Sequence, residues 1–208
     1  MRMKSFRWRG RTGLIILLIL LITTTACSPE GSTIPQTERL NWEVLESPFT
    51  DLTFIDHNNS QFSLHNLEGT VWIADLVFTT CNTVCPPMTA NMQKLQQMLI
   101  EEDLPVKIVS FSVNPTVDTP ELLKEYGELF QADLSSWYWV TGYGDEEITQ
   151  LAKEVFRTVV ALDPNSDQVI HGTSFYLVDK SGKIVKYYDG LNPPYEKMLE
   201  DIRTLVAE

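Results

Sequence analysis

A nearly continuous apolar segment leads, through a short loop, into an amphipathic helical pattern. Residues 71–78 are apolar except for Asp75, which is typical of a strand that is covered on both faces. Apolar residues then recur at helical spacing, and the prolines at 86 and 87 fit only the first turn of a helix, which we predict over residues 86–102. A buried strand joined to a helix in this way indicates a layered α/β architecture.

The remaining segments extend this architecture in a defined order. Strands are predicted at residues 106–113, 137–140, 174–178 and 183–188, and helices at 119–130, 145–156 and 195–206. Two short runs, 52–55 and 62–64, flank polar turn residues and predict an opening hairpin. The order β-α-β followed by β-β-α is the thioredoxin pattern. We therefore predict an α/β, thioredoxin-like fold with an N-terminal hairpin extension and an inserted strand-helix segment.

The N-terminus has the pattern of an export signal. Five basic residues and no acidic one precede an apolar run, and the uncharged stretch 12–26 is shorter than the roughly 20 residues of a membrane-spanning helix. Cys27 follows a small-residue site and resembles the lipid-modified cysteine of bacterial lipoproteins. An uncleaved anchor and plain secretion are the alternatives. We predict a targeting segment at 1–26, a tether at 27–46 and a domain at 47–208, on the extracytoplasmic face of the bacterial cell membrane.

The charge of the chain argues against one class of partner. Residues 27–208 contain 11 of the 16 basic residues and all 28 acidic residues, which gives a formal charge of −17. Phosphate groups would be repelled by such a surface. We therefore expect no nucleic acid among the partners, and the acidic surface is most simply a solvated one.

Cys81 and Cys85 are the only cysteines besides Cys27, and they lie together after the apolar strand. In an exported protein such a pair forms either a redox-active disulfide or part of a site for a soft metal ion. Because Cys85 precedes a proline, we predict that both sulfurs lie on a loop ending at a helix N-terminus. The free N–H groups and the helix dipole favour thiolates there.

Two thiolates favour Cu(I) or Zn²⁺ over Mg²⁺ or Ca²⁺, and a tight site needs a further ligand. His57 and His65 fall in polar segments and are predicted to be solvated. His171 precedes the strand at 174–178, in the loop that lies against the cysteine loop in a thioredoxin-like fold. The predicted metal ligands are therefore Cys81, Cys85 and His171. A site of two sulfurs and one imidazole suits Cu(I) and also permits Cu(II).

Three motifs occur in a fixed order along the chain. They are Thr-Thr-Cys81-Asn-Thr-Val-Cys85-Pro-Pro-Met88-Thr89, Phe111-Ser112-Val113, and Val169-Ile170-His171-Gly172-Thr173-Ser174-Phe175. With these motifs, the chain from about residue 47 onward resembles the Sco/SenC family of copper-binding assembly factors. The resemblance implies a membrane-tethered, thioredoxin-like protein. It also implies that the two cysteines and His171 bind copper destined for the binuclear site of cytochrome c oxidase subunit II.

The chain departs from the family pattern after the second strand. Where the family usually has Ser-Val-Asp-Pro, this chain has Asn114 in place of the aspartate. An amide at Asn114 can orient a ligand by hydrogen bonding but adds no charge to the site. Asp118 either replaces that carboxylate or caps the helix at 119–130, and capping is the favoured interpretation.

The function expected from these features is that of a membrane-tethered, extracytoplasmic copper chaperone rather than an enzyme. Its acceptor would be cytochrome c oxidase subunit II or another copper acceptor. The alternative is a thioredoxin-like thiol-disulfide oxidoreductase or redox sensor; a one-thiolate peroxidase and a structural zinc module are more distant possibilities. Such oxidoreductases generally have two residues between the cysteines and a proline before the strand that corresponds to residues 174–178. This chain has three residues there, and Gly172 at the proline position.

Overall fold

The computed structural model describes residue 34 and residues 39–44 and 52–208. Its strands are β1 (Trp42–Glu43), β2 (Phe54–Asp56), β3 (Gln61–Phe62), β4 (Trp72–Val77), β5 (Lys107–Ser112), β6 (Trp137–Thr141), β7 (Val160–Leu162), β8 (Val169–His171), β9 (Ser174–Val178) and β10 (Lys183–Asp189). Its α-helices are α1 (Cys85–Glu101), α2 (Pro120–Leu129), α3 (Asp145–Glu154) and α4 (Tyr195–Ala207). A short 3-10 helix, Leu64–Leu67, follows β3.

Eight of these strands form one mixed sheet in the order β1-β10-β9-β4-β5-β6-β2-β3. The central strands β4, β5 and β6 are parallel, so their carboxyl ends lie at the same edge. Strand β9 runs antiparallel to β4, and its first residues therefore lie at that edge as well. The loops after β4 and β5 and the segment before β9 are thus neighbours, although they are far apart in the sequence.

The two faces of the sheet pack against different elements. Alternate residues of β4 show the division, because successive side chains of a strand point to opposite faces. Ile73 and Val77 pack in a buried cluster with residues of α1, α2 and α4. Trp72 and Leu76 pack in the other cluster, which includes residues of α3 and of the β7–β8 hairpin. Burial on both faces accounts for the apolar character of this strand.

The predicted thioredoxin-like fold is confirmed. The β4-α1-β5 unit and the later β9-β10-α4 unit have the predicted order, and most predicted boundaries lie within two residues of those observed. The opening hairpin is present as β2 and β3, and the inserted strand and helix are β6 and α3. The prediction missed the hairpin of β7 and β8, which forms a separate two-stranded sheet.

Two further expectations need revision. Trp42 in β1 pairs with Ile184 in β10, so part of the segment assigned to the tether at 27–46 belongs to the sheet. His57 is not solvated but only 2% exposed. Its Nδ1 accepts a hydrogen bond from the backbone N–H of Trp139 at 3.3 Å, because the β2–β3 turn lies against β6. His65 is exposed, as expected, and pairs with Glu68.

The proposed targeting segment 1–26 and Cys27 lie outside the described residues. Within the described part of the chain, none of the helices combines the length and the apolar character that crossing a membrane requires.

Candidate metal centre

Three chain segments bring the predicted ligands to the carboxyl edge of the central strands. Cys81 lies in the loop after β4, and its N–H donates to the carbonyl oxygen of Phe78 at 3.2 Å. Cys85 is the first residue of α1, one position earlier than predicted. His171 is the last residue of β8 and comes shortly before β9. The predicted proximity of the cysteine loop and the His171 segment follows from the antiparallel pairing of β4 and β9.

The ligand-type atoms of Cys81, Cys85 and His171 all lie within 4.8 Å of one another. His171 Nε2 is 3.2 Å from the Sγ of Cys85. The Sγ of Cys81 accepts a hydrogen bond of 3.3 Å from the backbone N–H of Cys85. Both cysteines are free thiols and are buried, whereas His171 is only partly buried. Two sulfurs and one nitrogen therefore converge on one point at the surface of the domain.

A backbone contact orients the imidazole of His171. Its Nδ1 is 2.9 Å from the carbonyl oxygen of Gly172, which can only accept, so Nδ1 carries the proton. Nε2 then presents its lone pair to the thiol of Cys85. A second hydrogen bond of this kind is the usual means of fixing the tautomer of a metal-binding histidine. The ring also meets Phe78 edge to face, with 5.7 Å between the ring centroids.

The two thiols differ in acidity. Burial raises the pKa of Cys81, but hydrogen bonds with the side chains of His171 and Cys85 and with the backbone outweigh this effect and lower it to about 6. Burial raises the pKa of Cys85 well above its ordinary value, and the neighbouring sulfur of Cys81 and the charge of Asp75 act in the same direction. Cys81 is therefore the more acidic of the two thiols, and Cys85 the less acidic.

The helix N-terminus was expected to favour thiolate at both cysteines, whereas the pKa of Cys81 is lowered and that of Cys85 is raised. Cys85 is fully buried, and a second negative charge would lie next to the first. Because thiolate is the metal-binding form, capture of a metal ion by both sulfurs requires Cys85 to release a proton.

Asp118 anchors the cysteine loop. This buried carboxylate accepts hydrogen bonds from the N–H of Thr79 at 3.2 Å, from the hydroxyl of Thr79 at 2.5 Å, and from the hydroxyl of Ser112 at 2.6 Å. The favoured interpretation of Asp118 as a helix cap is wrong, because the hydroxyl of Thr119 caps α2 instead. Asp118 ties the residues before Cys81 to the end of β5.

Asn114 has a different environment. Its N–H donates to the hydroxyl of Ser112 at 3.1 Å, and its side-chain oxygen accepts from the hydroxyl of Thr116 at 3.4 Å. Its carbonyl oxygen accepts from the N–H of Asp118 at 2.9 Å. These contacts shape the loop that carries Asp118, and none of them reaches a predicted ligand.

The sequence analysis did not identify Asp75 as a buried carboxylate close to the cysteines. Its side chain is completely buried, and one oxygen accepts a hydrogen bond from Ser110 at 2.6 Å, while the other has no partner among the described residues. Burial raises the pKa of Asp75 to about 7, and the hydrogen bond from Ser110 acts in the opposite direction. A single carboxylate in an otherwise apolar strand was the signal that could have identified it.

Gly172 leaves no room for a side chain. A Cβ at this position would collide with the hydroxyl of Thr158. The proline that thiol-disulfide oxidoreductases usually have before this strand therefore does not fit here unless Thr158 moves.

The comparison with known families is decisive. A family model described as SCO1/SenC matches residues 43–207. The chain belongs to the SCO1/SenC family. The predicted family is thus confirmed, and the match covers every element from β4 to α4.

Solved and curated SCO1/SenC proteins agree with this assignment. The SCO1 protein homolog of Bacillus subtilis is 40% identical over 94% of this chain and 95% of its own length. A SCO1/SenC family lipoprotein from Bacillus anthracis is 48% identical, with a TM-score of 0.76 over 82% of this chain and 98% of the other. BsSco, described as a member of the Sco family of cytochrome c oxidase assembly proteins with a disulfide switch, is 40% identical, with a TM-score of 0.75 over 84% and 98%.

A more distant structure has the same fold. Arabidopsis thaliana ScoI, solved with copper bound, is 21% identical, with a TM-score of 0.64 over 76% of this chain and 97% of the other. At this level of sequence identity, the likeness shows that the two proteins share a fold.

The difference in acidity between the thiols can be measured by following thiolate absorbance against pH in a Cys27→Ser background. We expect a first transition with a midpoint of about 6, from Cys81. A Cys81→Ser variant should lack this transition, because the pKa of Cys85 is raised above its ordinary value of 9.0. Persistence of the low-pH transition in Cys81→Ser would show that the acidic thiol has been assigned to the wrong residue.

Proposed function

We propose that this protein is an extracytoplasmic copper chaperone that binds copper through Cys81, Cys85 and His171. The observation that carries the proposal is the convergence of two sulfurs and one oriented imidazole nitrogen within 4.8 Å. Thiolate and imidazole donors select soft and borderline ions such as Cu(I), and carboxylate-binding ions such as Mg²⁺ and Ca²⁺ are disfavoured. The copper-bound structure of the related fold supports the choice of copper.

The state of the side chains suits the capture and release of the ion. Cys81 is the more acidic of the two thiols, and Nε2 of His171 faces the cysteines with its lone pair, so one sulfur and one nitrogen can meet the ion first. Cys85 completes the site when it loses its proton. Because partial burial leaves His171 accessible, an acceptor can replace the imidazole first and the sulfurs afterwards. When the ligands are replaced one at a time, copper passes to the acceptor without being released into solution.

Cytochrome c oxidase subunit II, with its binuclear copper site, is the proposed acceptor. The family resemblance and the description of BsSco as an oxidase assembly protein support this choice. We further propose that Cys27 carries a lipid that anchors the domain outside the cell membrane. The 48% identical relative described as a lipoprotein supports that placement.

A role in thiol-disulfide exchange is the second candidate. The acidic thiol of Cys81 next to Cys85 favours it, because such a pair can transfer two electrons and two protons to a disulfide of the acceptor. The disulfide switch described for BsSco supports the same chemistry. The missing proline at Gly172 disfavours a general oxidoreductase, so we place this activity second.

Copper titration of the reduced protein tests the proposed ligands. We expect His171→Ala to weaken Cu(I) binding by at least about tenfold, or about 1.4 kcal/mol, because one of three donors is lost. His65→Ala is the matched control, since His65 is exposed and its ring contacts Glu68, with 2.6 Å between Nδ1 and a carboxylate oxygen. Equal affinities of His171→Ala and His65→Ala would contradict the ligand assignment.

The proposed acceptor is tested by oxidase activity in cells that lack this protein. We expect reduced activity that added copper partly restores, because excess metal bypasses a chaperone but does not replace a reductant. The native gene should restore activity fully, and a Cys81→Ser gene should not. Normal oxidase activity in the deletion strain would contradict a role in oxidase assembly.

A further inference from the structure

The side chain of Gln168 connects the two segments that carry the proposed ligands. Its Nε2 donates a hydrogen bond of 3.4 Å to the carbonyl oxygen of Thr80. Thr80 directly precedes Cys81, and Gln168 lies three residues before His171. One amide group therefore bridges the loop of the sulfurs and the strand of the imidazole.

The surroundings of the amide fix its orientation. Nε2 is also 3.4 Å from Oδ1 of Asp167, so two oxygen acceptors face the nitrogen. If the nitrogen and oxygen of the amide were exchanged, the amide oxygen would face these two acceptor oxygens and could not bond to either of them. In the observed orientation, Oε1 of Gln168 is buried and has no partner among the described residues. A buried oxygen without a partner is unfavourable, and the two contacts of the nitrogen offset part of that cost.

The β7–β8 hairpin needs such a contact. It lies outside the eight-stranded sheet, and its strands pair with each other. Val160 and Val169 pack on the core, whereas Leu162 and Ile170 are 72% and 54% exposed, so only one face of the hairpin is held by apolar contacts. The pairing of β9 with β4 brings the His171 segment to the cysteine edge, but β8 itself, which ends in His171, pairs only with β7 among the described strands.

We propose that Gln168 is a positioning residue of the metal centre. By holding the hairpin on Thr80, it fixes the distance between the His171 strand and the Cys81 loop before copper arrives. Asp118 holds the adjacent residue, Thr79, so the loop is fastened to the domain at one residue and to the hairpin at the next. This inference rests on the proposed copper site and explains how its geometry is maintained.

Two substitutions at Gln168 distinguish the contribution of the amide nitrogen from that of the amide oxygen. Gln168→Leu removes both, whereas Gln168→Glu retains oxygens but has no N–H for Thr80. We expect both variants to weaken copper binding about tenfold and to change the nitrogen hyperfine splitting of the Cu(II) form, because the imidazole is less well placed. The matched control is Gln150→Leu, which removes an exposed amide that donates to Glu146 at 3.4 Å.

Urea unfolding of the metal-free protein distinguishes positioning from general stabilisation. We expect the Gln168 variants to unfold at the same urea concentration as Gln150→Leu. The inference is overturned if Gln168→Leu binds copper as tightly as the control, or if Gln168→Glu binds like the native protein. It is also overturned if the metal-free Gln168 variants are destabilised enough to account for the lost affinity. Native affinity in His171→Ala would refute the proposed function itself, whereas weak binding there and native binding in Gln168→Leu would refute only this inference.

Discussion

The geometry of the proposed metal centre depends on one hydrogen-bonded imidazole. Donation from Nδ1 of His171 to the carbonyl oxygen of Gly172 leaves Nε2 with a lone pair that faces the thiol of Cys85. If the tautomer were reversed, Nε2 would carry a proton and the site would lack its nitrogen donor. The small residue at 172 is part of the same arrangement, because Thr158 occupies the space of a side chain there.

Buried carboxylates surround this centre and act in different ways. Both carboxylate oxygens of Asp118 accept hydrogen bonds, from Thr79 and Ser112, and these bonds hold the cysteine loop against the end of β5. Asp75 has one bonded oxygen and one without a partner among the described residues, and its charge disfavours a second thiolate at Cys85. The acidity of the cysteine pair thus results from the whole edge of the sheet rather than from the helix N-terminus alone.

Local patterns predicted much of the architecture. The apolar segment before Cys81, and Pro86 and Pro87 at the start of α1, determine their own structure through short-range constraints, so these elements were found within a residue or two. The approach of His171 to the cysteines followed from the order of the strands. These predictions used the order and direction of the strands and did not depend on how individual side chains pack.

Features that depend on tertiary packing could not be predicted in this way. His57 lies in a polar turn, and its burial results from contact with β6. The strands of β7 and β8 are three residues long and carry exposed apolar side chains, so they lack the alternation that identifies a strand. The partners of Asp118 and Gln168 are distant in sequence, and the raised pKa of Cys85 depends on burial that only the assembled core provides.

X-ray absorption spectroscopy of the copper-loaded protein is the most direct test of the central claim. The account predicts that the copper is surrounded by two sulfurs and one imidazole nitrogen, and that Cys85→Ser has one sulfur fewer. A copper environment without sulfur, or with two sulfurs but unchanged when His171 is replaced by alanine, would contradict it.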